Sequence, residues 1–181
     1  MGRTRALLIS TIIAGILALV AGIGTYGAFS STTANGGNRF DAGTVVISDN
    51  DAGASVVTLT NARPGDNRSG CIIVSYTGTL SSSVRLYGTV TGGLGPFMTL
   101  VVTRGTVSGA FPSCTGFTPD TTLYNGALGS FPSTYAAGIV DPSTWANGNT
   151  HAYMFAVTMG SDPAGQGLSA TATFTWEARN V

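Results

Sequence analysis

The closing stretch of the chain, residues 169–179 (SATATFTWEAR), restricts the fold more than any other segment. Ala170, Ala172, Phe174, Trp176 and Ala178 fall on one side of an extended backbone, and Thr171, Thr173, Thr175 and Glu177 fall on the other. A side-chain period of two describes a strand with one buried face and one wet face. Outside the first residues, no window longer than a turn has helical periodicity.

Similar short runs recur upstream. Residues 44–48 (TVVIS), 55–60 (SVVTLT), 70–76 (GCIIVSY), 83–91 (SVRLYGTVT), 97–104 (FMTLVVTR) and 151–159 (HAYMFAVTM) each read as a strand. Turn signals separate them: Asp49 to Gly53, the Pro64-Gly65-Asp66 step, and the Gly-rich 92–96. Residues 105–149 hold several prolines and no clear period. They are expected to be irregular, with short helical turns at 123–127 and 143–146. The expected fold is all-β, a jelly-roll or Greek-key β-sandwich of seven to nine strands behind an N-terminal signal helix.

The chain opens with Arg3 and Arg5, an apolar run over residues 6–23, and the small residues Gly24, Thr25 and Gly27. That order is a secretory signal, with the cut placed between Gly27 and Ala28. The rival is an uncleaved anchor, for which eighteen residues is about the minimum length. The domain reading is therefore signal peptide 1–27, a loose N-terminal segment 28–42 and a sandwich 43–181. No apolar tail follows the last strand, so no C-terminal anchor is expected.

Charged residues are only 9% of the chain, and all eight basic residues are arginine. Six of those arginines lie beyond the signal, against eight acids. No basic cluster remains, so nucleic acid is not an expected partner. A surface with few charges resists self-association weakly, which suits a protein that assembles.

Cys71 and Cys114 are the two cysteines, 43 residues apart. In an exported chain an even pair reads as a disulfide, contributing roughly 3–4 kcal/mol by loop entropy. Two thiols and the lone His151 are too few for a closed zinc site.

No catalytic, cofactor or metal residues are assigned. His151 reads as a surface residue at a strand edge rather than the base of a triad. Asp49, Asn50 and Asp51 lack the spacing of a calcium loop and read as a turn. Glu177, the lone glutamate, is expected on the exposed face of an edge strand. Asn67-Arg68-Ser69 matches a glycosylation acceptor, a short pattern with a high chance rate. Trp145 is a candidate for lining a carbohydrate site, and Trp176 is expected in the core.

Three stretches together resemble one family. Residues 24–30 (GTYGAFS) are similar to the signal junction of TasA/camelysin-like proteins. Residues 40–45 (FDAGTV) are similar to that family's approach to its first strand, and residues 59–66 (LTNARPGD) to its Pro-Gly-Asp turn. The resemblance implies a jelly-roll sandwich, release by a SipW-type signal peptidase, and a membrane role only through the signal. It also implies homo-oligomers or biofilm-matrix fibres, in which residues 28–38 of one copy add as a strand to the next. The expected function is a secreted cell-surface or matrix structural protein. The alternatives are a camelysin-like secreted metallopeptidase and a monomeric adhesin or carbohydrate-binding module.

Overall fold

In a computed structural model, residues 41–181 are described, and Ala42–Val181 form one compact unit. The predicted cut at Gly27 and Ala28, the signal helix and residues 28–38 lie outside the described residues. The unit is all-β, built from two antiparallel sheets. The strands are β1 (Ile47–Asp49), β2 (Asn67–Tyr76), β3 (Ser82–Thr91), β4 (Met98–Thr106), β5 (Thr118–Ala127), β6 (Ile139–Trp145), β7 (Thr150–Met159) and β8 (Thr171–Asn180). One sheet has the order β1-β2-β7-β4-β5 and the other β6-β3-β8.

The alternating residues of both sheets meet in one core. Val74, Tyr76, Leu100, Val102, Tyr153 and Phe155 from the larger sheet face Val84 and Leu86 from the smaller, and Trp145 is fully buried among them. Aromatic rings join the layers: Phe155 lies 4.3 Å from Phe174 and 5.8 Å from Trp176, centroid to centroid. Ala172, Phe174, Trp176 and Ala178 pack against this core, as the alternation of β8 requires.

Residues 105–149 correct the sequence reading, because they contain β5 and β6. Of the helical turns expected at 123–127 and 143–146, residues 123–127 and 143–145 are strand and Ala146 begins the turn that follows. Both elements are edge strands, where proline is tolerated because one side of the backbone needs no partner; Pro119 and Pro142 sit there. Both also carry bulges. Opposite β4, the register skips Leu123 and Asp120, and opposite β3 it skips residues 141–143. Bulges and prolines erase the period of two that sequence reading relies on.

Residues 55–60 correct it in the other direction, for they are not a strand. Val56, Val57 and Leu59 still pack on the core. Their backbone crosses β2 instead of pairing along it. The Val56 carbonyl lies against Gly70, on the core-facing register of β2, where there is no space for a Cβ. The segment ends in a turn: Asp66 accepts from the Arg63 amide at 2.8 Å, and Gly65 and Asp66 exchange backbone bonds with Met159 of β7.

Cys71 and Cys114 form a disulfide, joining β2 to the loop between β4 and β5. Where β1 stops, the free edge of β2 is satisfied by that loop and by a side chain. The Cys71 amide donates to the Pro112 carbonyl at 2.9 Å, and the Ile73 amide to Asn50 Oδ1 at 2.8 Å.

Candidate functional site

The two sheets meet along two open sides, and these differ in construction. On the β5/β6 side, Arg104 continues the inward face of β4 and is buried. Its Nε donates to both oxygens of Asp120 at 3.0 and 3.1 Å. Its Nη1 donates to Asp141 at 2.7 Å and to Ser143 Oγ at 2.8 Å. Tyr153, cross-strand neighbour of Arg104, donates its hydroxyl to the other Asp141 oxygen at 2.7 Å, and the Ser143 amide donates to the first at 2.9 Å. Both carboxylates come from bulges, which turn Asp120 and Asp141 towards a cation that regular pairing would not let them reach. The result is a clamp across four strands, β4 to β7.

Electrostatics match this geometry. Burial opposes the charge on Arg104, but hydrogen bonding and attraction from Asp120 and Asp141 outweigh it and raise its pKa. Burial, then the Asp141 charge, pushes the Tyr153 hydroxyl far above its usual range, so it stays a donor. His151 packs edge-on against Trp145 with ring centroids 4.8 Å apart. It is half-buried on the inward side of β7 rather than a simple surface residue. Burial chiefly holds its pKa below the usual value, with Arg104 adding to this and Asp141 and Asp120 opposing it. No serine hydroxyl bonds to His151 among the described residues, so the cluster lacks the nucleophile–base contact of a triad.

The β1/β8 side has no such clamp. Here a cleft of about 190 Å³ is lined by Ile47, Ser48, Asp49, Val74, Phe174, Thr175 and Trp176. β8 ends its sheet, and among the described residues its ten-residue outer edge has no hydrogen-bonded neighbour. The Trp176 indole Nε1 is buried there, beside the Tyr153 ring at 5.2 Å, centroid to centroid. β1 is only three residues long, so the larger sheet does not close over β8.

The remaining sequence candidates fall as follows. Asp49 Oδ1 accepts from the Asp51 amide at 3.2 Å, and Asp51 Oδ1 from the Gly53 amide at 2.6 Å. These are Asx turns. Burial raises the pKa of Asp49, with the Asp51 backbone bond opposing it. No three metal-donor side chains gather among the described residues. Glu177 lies on the outer face of an edge strand, accepting from Tyr87 at 2.7 Å and from Arg179 at 2.8 Å. Asn67, Arg68 and Ser69 are exposed at the start of β2. Trp145 is corrected: it is fully buried, and so lines no carbohydrate site. Its polar neighbours in sequence, Asn147 to Thr150, belong to the turn after it and conceal its inward position.

The sequence reading missed the clamp. Its one legible signal was Arg104 at an inward position of an otherwise apolar strand. No protein-family model matches the chain, and no curated protein matches it.

Proposed function

We propose that this chain is a secreted, non-enzymatic β-sandwich that builds cell-surface or matrix structure. Residues 28–38 of one copy add as a strand along the outer edge of β8 in the next. The observation that carries this reading is the β8 edge itself. It spans ten residues without proline, carries charge only at Glu177 and Arg179, and borders the cleft. Proteins ordinarily blunt such edges with charge, proline or a covering segment. An added strand would satisfy its backbone groups, and alternate side chains would fill the cleft. A head-to-tail contact of this kind propagates into filaments.

The finer fold reading is a jelly roll. It is supported by the nested pairing of β3 with β8 and β4 with β7, with β5 and β6 between them. Export by a SipW-type peptidase, cutting before Ala28, would supply the free strand. The Cys71–Cys114 bond suits the oxidising setting such export leads to.

Electron microscopy and size-exclusion chromatography of the mature protein test the proposal. Filaments or large oligomers, lost when residues 28–38 are deleted, are expected. A monomer at high concentration, unchanged by that deletion, overturns it.

A further inference from the structure

The outer face of the three-stranded sheet carries a second arrangement, independent of strand addition. β3 and β8 run along it in unbroken register, pairing Arg85 with Glu177, Tyr87 with Thr175, Thr89 with Thr173 and Thr91 with Thr171. At one end, Tyr135 meets two guanidinium groups. Arg179 lies 3.6 Å from the ring centroid and Arg85 lies 5.1 Å from it. Arg85 is fixed further by donating to the Tyr135 and Ala136 carbonyls at 3.3 and 3.0 Å.

The charges at this end do not balance. Glu177 is the single carboxylate in contact, and Tyr87 already shares it. Arg179 uses its Nε for Glu177, while its Nη groups donate to nothing among the described residues. Its side chain is 58% exposed. Stacking on Tyr135 restricts its rotamers, so less freedom is lost when those nitrogens take a ligand. The chain has no lysine, and Arg104 is buried. Two of the remaining described arginines nonetheless converge on one ring. A planar pair of free N–H groups fits a carboxylate bidentately.

Beyond the cations the face becomes neutral and flat. Thr171, Thr173, Thr89 and Thr91 are exposed in two adjacent rows. Strand spacing sets their hydroxyls roughly 5 Å apart across the pair and about 7 Å along it. A ligand with a charge on every unit would leave most of that charge unmatched. A ligand with sparse carboxylates and dense hydroxyls is complementary over the whole strip.

We infer that this face binds an acidic polysaccharide, with the Arg179 Nη groups taking a uronate carboxylate, Arg85 holding Tyr135 in place and adding its charge, and the threonine rows taking neutral hydroxyls. Affinity electrophoresis of the purified protein through polygalacturonate, dextran or poly-glutamate tests this. Polygalacturonate should retard the protein, less so at high salt. Arg179→Gln should weaken retardation about tenfold. Glu177→Gln, which removes a competing carboxylate, should strengthen it roughly two- to threefold by the scale of an exposed charge pair. Arg63→Gln, far from the strip, should leave it unchanged. Equal retardation by dextran, stronger retardation by poly-glutamate, or unaltered binding in Arg179→Gln with a native melting curve overturns the inference.

Discussion

The β5/β6 and β1/β8 sides solve the same problem by opposite means. Each is a place where two sheets end and the core would meet water. On the first side, bulges bring two carboxylates onto one buried arginine, and a tyrosine completes the set. On the second, a three-residue strand and a crossing segment leave β8 without a covering strand among the described residues, and a cleft behind it. A single sequence therefore ties down one side of its sandwich and, among the described residues, leaves the other open.

The clamp side should carry the largest stability effects. Asp141→Ala leaves Arg104 short of its most buried partner and the Tyr153 hydroxyl unsatisfied, at a cost of about 3–5 kcal/mol. Chemical denaturation measures it, and a loss below about 1 kcal/mol would remove the contrast between the sides. Replacing Cys71 and Cys114 together by alanine should cost about 3–4 kcal/mol in the same assay.

Changes on the open side should be milder for the monomer. Phe174→Ala removes a half-buried ring facing Phe155 and Phe131. The expected cost is about 2 kcal/mol, below that of a fully buried aromatic. Thr175→Lys, on β8 beside the cleft, should change monomer stability by about 0.5 kcal/mol. It should nevertheless abolish assembly, because edge lysines block strand addition; unaltered filaments would sever the link between β8 and assembly.

The smallest effect is pH dependence from His151. Its folded pKa is depressed from 6.5, so the unfolded chain binds more protons in the interval between the two values. Its contribution to stability is complete above about pH 6.5 and is lost as pH falls through the folded pKa. His151→Gln should flatten that part of the stability–pH profile, as read from melting temperatures between pH 5 and 8.

How much of this was legible follows from local regularity. β2, β3, β4, β7 and β8 alternate or run apolar without interruption, and their sequences announce them. The 55–60 run is equally rich in β-branched residues, yet its valines serve the core from a backbone without a ladder partner. β5 and β6 were hidden by Pro119, Pro142 and the bulges at Asp120 and 141–143. Those same irregularities create the clamp, so the feature most specific to this molecule is the one that a period of two cannot reveal. The Arg179–Tyr135 contact was equally hidden, since it joins residues from a loop and a strand far apart in the chain.

The Thr44 carbonyl accepts from the Leu80 amide at 3.1 Å, and the Val181 amide donates to the Ser81 carbonyl at 3.2 Å. Both approaches to the sandwich therefore flank one loop, at one pole. Tension applied between them does not shear the ten β3–β8 pairs together. It meets them singly, beginning at Ser82 and Asn180, as a zipper opens. The isolated sandwich is consequently soft under load, and single-molecule stretching should record a low unfolding force. A strand laid along the outer edge of β8 would grip the whole element from its other side, making each subunit's mechanical strength a property of its neighbour.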